Sequence, residues 1–153
     1  MNNFTLHLES TAELSVDRLL EIMAERTRVF VVEQNCPYQE IDQKDQMALH
    51  VYLTDHDKLV AYSRIIWHDD QVHISFGRVL VVKKYRGKQL GRQIVTTALQ
   101  AIDDRFPQTD VKIQAQAHLQ KFYGSFGFQA VSDPYLEDGI PHIDMVLIKN
   151  RAE

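Results

Sequence analysis

The sequence is short of several things, and each shortage removes a class of protein. It has one cysteine in 153 residues, Cys36. One cysteine closes no internal disulfide, so nothing points to an oxidising compartment. No apolar run approaches the ~18 residues of a membrane span. The start, Met1-Asn2-Asn3-Phe4-Thr5, lacks a basic segment followed by an apolar one, which argues against a signal peptide. Glycine and proline number six and four, and no linker rich in them, no repeat and no low-complexity tract divides the chain. Basic charge is not in excess. The formal net charge is -4, so the chain as a whole has no electrostatic attraction for nucleic acid. The seven histidines form no His-x-x-x-His pair and no Cys/His cluster, and no metal is expected. What is left is ordinary for a soluble, cytoplasmic globular protein, 44% hydrophobic and 25% charged. The length fits one domain over residues 1–153, with a core that needs no staples.

Residues 3–9 alternate, with Phe4, Leu6 and Leu8 against Thr5, His7 and Glu9, and predict a strand. Ser15 is placed to cap a helix with apolar positions at Val16, Leu19, Leu20, Met23 and Phe30. Its end, Val29-Phe30-Val31-Val32, reads equally as strand. Residues 33–46 are polar, include Pro37, and read as a loop. Strand-like runs follow at about 48–54, 58–67 and 72–82, joined by turns at Asp55-His56-Asp57 and His68-Asp69-Asp70-Gln71. After Gly87 to Gly91 comes a helical run with Leu90, Ile94, Ala98, Leu99 and Ile102, stopped at Phe106-Pro107. Residues 111–115 read as a strand, 117–126 as helix, and 128–131 and 142–148 as closing strands. The strand-turn-helix-strand unit over 72–115 implies a right-handed crossover and parallel strands. The expected fold class is therefore α/β (α+β). An antiparallel meander precedes one βαβ unit in a mixed central sheet, with helices on both faces.

The chemistry concentrates where the apolar strand Val79-Leu80-Val81-Val82 runs into the turn Lys83-Lys84-Tyr85-Arg86-Gly87-Lys88-Gln89-Leu90-Gly91-Arg92. A helix N-terminus offers unpaired N–H groups and a partial positive charge, and glycines let a backbone approach an anion closely. Lys83, Lys84, Arg86, Lys88 and Arg92 add local cations to a net-acidic chain. A pyrophosphate with a further phosphate matches that cluster, although a solvated basic turn before an amphipathic helix has the same composition. The spacing is neither a Walker A loop nor G-x-G-x-x-G.

Arg86-Gly87-Lys88-Gln89-Leu90-Gly91 resembles the acetyl-CoA-binding signature of the GNAT N-acetyltransferase superfamily, R/Q-x-x-G-x-G/A. Gln89 departs from it, standing where the signature usually has glycine, and a tight turn of ordinary φ there would still present its amide. The resemblance implies that Arg86, Gly87, Lys88, Gln89, Leu90, Gly91 and Arg92 hold the pyrophosphate. It places Leu80, Val81 and Val82 beside the pantetheine, with Val81 polarising the thioester carbonyl. Phe122-Tyr123-x-x-x-Gly127-Phe128 resembles the family's helix and closing glycine turn. This implies Tyr123 as the acid that protonates the leaving thiolate, with Phe122 and Gln116 at the cofactor. The stretches 29–38, 114–120 and 135–145 are similar to the ElaA-type branch of the family. The implied activity is direct transfer of an acetyl group from acetyl-CoA to a primary amine, on a small molecule or peptide. A non-catalytic CoA-binding sensor or interaction module stays open as the alternative.

Attack by an amine needs a neutral nitrogen, and free lysine-type amines are mostly protonated near neutrality. A base is expected among Glu33, His142, Glu137, Asp138 and His50. Glu33 follows an apolar run at the start of a loop, and His142 begins a strand, where an ordinary histidine titrates in the working range. Glu33, Glu40, Asp42, Asp45, Glu137 and Asp138 together would give the acceptor mouth negative charge. Direct attack has no use for Cys36 as nucleophile. A free sheet edge near 142–148 would make a homodimer possible.

Overall fold

The computed structural model describes residues 3–149. Eight strands form one mixed sheet: β1 (Thr5–Ser10), β2 (Leu49–Asp55), β3 (Lys58–Trp67), β4 (Ile74–Val81), β5 (Val111–Gln116), β6 (Gln129–Ala130), β7 (Tyr135–Glu137) and β8 (Ile140–Leu147). Their order is β1-β2-β3-β4-β5-β8-β6, with β7 also on β8. All neighbours are antiparallel except β4 and β5, the two ends of the βαβ unit. The helices are α1 (Val16–Thr27), α2 (Leu90–Arg105) and α3 (Gln120–Gly124). No helix among the described residues is long and apolar enough to cross a membrane.

Both faces of the sheet are covered, and strand alternation sorts the side chains between them. On one face Val51, Leu53, Ile65 and Phe76 pack with Ile94, Ala98 and Ile102 of α2 and with Tyr123 of α3. On the other, Tyr52, Tyr62 and Leu80 pack with Ile22 of α1. Ser15 caps α1, its side chain accepting from the Arg18 amide. The core face of α1 is not the expected one. Val16 and Leu20 are exposed, while Ile22 and Arg26 are fully buried. The ambiguous run after α1 is neither regular helix nor strand. It is a wide π-helical turn, Arg28–Glu33.

The sheet is closed further than expected on its far side. The hairpin strand β7, turning at Asp138 and Gly139, was not foreseen, and it pairs with β8. β8 lies between β5 and the strands β6 and β7. The strand near 142–148, which as a free edge would have made a homodimer possible, is therefore already paired on both sides.

Two irregularities of β4 shape the centre of the molecule. The parallel pair β4–β5 is in register at Ile74↔Val111 alone, so the strands part beyond that point. The register of β3 on β4 also shifts between Tyr62↔Leu80 and Arg64↔Gly77. Ser63 thus faces the two residues Arg78 and Val79, a β-bulge. Arg78 takes a positive φ of 52° there.

Candidate active site

The gap between β4 and β5 opens a cavity of about 440 Å³ lined by Phe76 to Val79 from β4 and Ile113 to Gln116 from β5. The loop after α1 contributes Gln34, Cys36, Tyr38 and Asp42, and the β7–β8 hairpin contributes Glu137, Asp138 and His142. Tyr123 of α3 closes it from the α2 side. A second cavity, about 290 Å³, lies over the start of α2 and is lined by Val81, Arg86, Gly87, Gln89, Leu90, Gly91, Arg92 and Phe122.

The second cavity is built for an anion. Gln89 caps α2 without a side-chain hydrogen bond, so the first N–H groups of a 16-residue helix have no side-chain partner. A Cβ added at Gly87 or Gly91 would meet nothing within 4 Å, which shows open space over the turn. The expectation of an ordinary φ at Gln89 is wrong. Its φ is 59° and ψ 27°, the left-handed region. The turn imposes on a glutamine the conformation that a glycine at that position would adopt without strain. Arg86 donates from Nε to the Val81 carbonyl at 3.0 Å and from Nη2 to Glu33 at 2.9 Å. Arg92 sits over the Phe126 ring, 4.6 Å from its centroid, and donates to Ser125. Lys88 leans over Tyr85 instead of lining the cavity.

Strand alternation separates the expected cofactor residues. Val81 lines the second cavity. Leu80 turns its side chain to the α1 face, where it is buried with Ile22 and Tyr62, and it lines neither cavity. The Val82 amide is bonded to the Val60 carbonyl at 2.9 Å. Gln116 lines the main cavity and donates to Gln34 Oε1 at 3.2 Å. Phe122 stacks edge-on against Tyr123 and lies under Arg92.

Tyr123 is 7% exposed, wedged among Phe76, Phe122 and Phe128. Burial pushes its hydroxyl up to about 12, so it stays protonated at neutral pH. His142 faces the same cavity. Its Nδ1 lies 2.7 Å from the Ile140 carbonyl, which can only accept, so Nδ1 is the donor and Nε2 is the nitrogen turned to other partners. The ring stacks on Tyr135, whose hydroxyl donates to Asp144 at 2.6 Å.

Of the other base candidates, Glu33 and His50 lie off this cavity while Glu137 and Asp138 lie on it. Glu33 does not line the main cavity, and its carboxylate is held by Arg86. His50 is fully buried between Thr11 and the Tyr62 hydroxyl on the α1 face. Burial pushes it down to about 4, so it is neutral. Glu137 and Asp138 do line the cavity, with Glu137 3.9 Å from His142 Nε2.

The acidic mouth is only half as expected, because Glu40, Asp42 and Asp45 are neutralised by arginines that sequence reading missed. Arg26 reaches Glu40 at 2.7 Å and Asp45 at 2.6 Å. Arg64 reaches Asp42 at 2.8 Å and Asp45 at 3.0 Å, and Arg78 reaches Glu40 at 2.6 Å. Tyr38 adds its hydroxyl to Glu40. Burial is the largest single influence on Asp45 and would raise it, but the hydrogen bonds from Arg26 and the Asp42 amide and the charges of Arg26 and Arg64 together outweigh it and hold the carboxyl at about 2. A signal was present: Arg64 and Arg78 stand inside otherwise apolar strands, where a charge is kept only if paired.

This geometry has relatives. Residues 15–149 match the acetyltransferase (GNAT) domain family. Protein ElaA of Escherichia coli K12 is 46% identical over 137 residues, covering 88% of this chain and 90% of ElaA. The crystal structure of E. coli ElaA superposes with a TM-score of 0.87 at 42% identity, covering 94% of this chain and 99% of that one. An acyl-CoA N-acyltransferase from Pseudomonas aeruginosa superposes with a TM-score of 0.90 at 39% identity, covering 95% and 99%. An uncapped helix turn beside a parted pair of parallel strands, matched along nearly the whole chain by such relatives, places the protein in the GNAT acetyltransferase family, on its ElaA-like branch.

Proposed function

We propose that the whole chain, residues 1–153, acts as one domain that transfers an acetyl group from acetyl-CoA to a primary amine by direct attack. The observation that carries this reading is the convergence, in one cavity between β4 and β5, of a buried protonated hydroxyl on Tyr123 and the imidazole of His142, anchored through its Nδ1. Acetyl-CoA supplies a thioester carbon that accepts the amine. The residues of the second cavity fit its pyrophosphate: the first amides of α2 are uncapped and Gly87 and Gly91 leave room. Val81, Gln116 and Phe122 line the way from that turn towards the gap.

On this reading His142 Nε2 takes the proton that the amine must lose, and Tyr123 Oη supplies the proton that the departing sulfur must gain. The carbonyl of Ile140 and the ring of Tyr135 hold the imidazole in place. Glu137 and Asp138 are the cavity carboxylates that neither arginine nor lysine pairs among the described residues, which favours arrival of a cationic amine. Turnover is tested by thiol release from acetyl-CoA in the presence of amines. Tyr123→Phe is expected to lower kcat about 100-fold, the lower range of general acid catalysis, without weakening acetyl-CoA binding. An unchanged kcat removes Tyr123 as the acid.

A further inference from the structure

The cavity extends past the reacting groups in a direction that transfer to a small amine does not need. Beyond the bulge it continues along the α1-side face of β4, lined by Gly77 and Ser75 and walled by Ile66, Lys44 and Asp69. Gly77 stands directly opposite Arg64 in register, and directly opposed residues share a face. Phe76, next to it, points the other way, against Tyr123.

Neither backbone angle nor crowding requires glycine at this position. Gly77 is not among the glycines of positive φ, and a Cβ added there would meet nothing within 4 Å. A glycine inside a strand costs stability and packs nothing, and it commonly marks close approach of a ligand. By contrast Gly127 has a φ of 101° and a tight neighbour in Leu147 at 3.1 Å, so its glycine has a folding reason. At Gly77 the missing side chain leaves cavity space.

We infer that Gly77 is a specificity-determining residue that keeps a trough open along β4 for the tail of an extended, unbranched amine acceptor. The inference rests on the acetyl-transfer reading above and names the shape of its acceptor. Arg78 and Ser75 lie three residue steps apart along the strand, about 10 Å at the usual rise, so the trough takes a chain and not a compact ring. Its walls are polar. Ser75 is on the floor, and Lys44 is paired with Asp69 at 2.6 Å at the far end. A chain carrying its own hydrogen-bonding groups therefore fits better than a plain alkyl chain. The competing exit for a tail is the mouth beside Glu137 and Asp138, and a tail leaving there would not meet residue 77.

The test compares Gly77→Val with wild type on two acceptors, ethanolamine and spermidine. The added side chain is β-branched, suits a strand and meets open space, so the thermal midpoint and the acetyl-CoA affinity are expected to hold. The kcat/KM for spermidine should fall at least tenfold more than that for ethanolamine, with Gly77→Ala falling between wild type and Gly77→Val. An equal fall for both amines, or no fall, overturns the trough while leaving acetyl transfer intact. Turnover of neither amine by the wild-type protein overturns the inference together with the transfer reading on which it rests.

Discussion

The two cavities do related work with opposite materials. The one over α2 is made by a single stretch, residues 81–92, with Phe122 laid beside it. Its donors are backbone amides, and what matters is chain path. The other draws on the turn after α1, the loop to Asp42, β3, β4, β5, α3 and the β7–β8 hairpin. Its floor is held by side chains, with Arg26, Arg64 and Arg78 against Glu40, Asp42 and Asp45. A backbone site tolerates an unusual residue if the turn still forms, as Gln89 shows with its φ of 59°. A site of buried charges tolerates a lost partner poorly, because each removal unbalances the remaining charges in a dry place. The cavity over α2, proposed for the cofactor, should therefore be robust to side-chain change, and the one between β4 and β5, proposed for the acceptor, brittle.

The largest effect expected from that contrast is at Arg26. It is fully buried and pairs with Glu40 and Asp45. Arg26→Met should cost about 3–5 kcal/mol in urea unfolding, since it takes from buried Glu40 and Asp45 one of the two arginines that each is paired with. A loss below about 1 kcal/mol would show that water or rearrangement relieves them, and the brittle half of the comparison would fail.

Next comes pH. His50 is neutral in the fold, with burial holding it near 4, against about 6.5 for a free histidine. Between those values the unfolded chain binds the extra proton, so the contribution is intact above pH 6.5 and is lost as the pH falls towards 4. Wild type should lose up to about 3 kcal/mol more than His50→Gln across that window. Parallel stability curves for the two proteins would remove His50 as the source.

The smallest effect is on the tolerant side. Gln89→Gly relieves a left-handed glutamine and should raise stability by about 1 kcal/mol or less while leaving acetyl-CoA affinity within a few-fold. A large change in affinity would mean that the Gln89 side chain, and not the turn, holds the ligand.

The same contrast explains what could be read in the sequence. The meander, the βαβ unit and the turn at 81–92 are contiguous, and their strand periodicity, glycines and cations are visible in order. The acceptor side depends on residues far apart in the chain. Nothing local at Glu40 announces that Arg26 and Arg78 will neutralise it, so its charge reads as part of an acidic mouth. The core face of α1 is misread for the same reason, because buried Arg26 is polar and exposed Val16 and Leu20 are not. β7 is three residues long, too short for periodicity, and missing it makes β8 look like an edge. Gly77 was legible in principle as a glycine inside a strand, but only the open space around its Cβ position gives it meaning.

The most direct test of the account is calorimetric titration of the protein with acetyl-CoA, with ATP and NAD as controls, repeated on Gly91→Glu. The account predicts selective binding of acetyl-CoA by wild type. Gly91→Glu, which has room for its side chain but sets a carboxylate on the first turn of α2, should bind at least about 100-fold more weakly, a loss of about 2.7 kcal/mol, at an unchanged thermal midpoint. Equal affinity of the folded variant, or no binding by wild type, would contradict it.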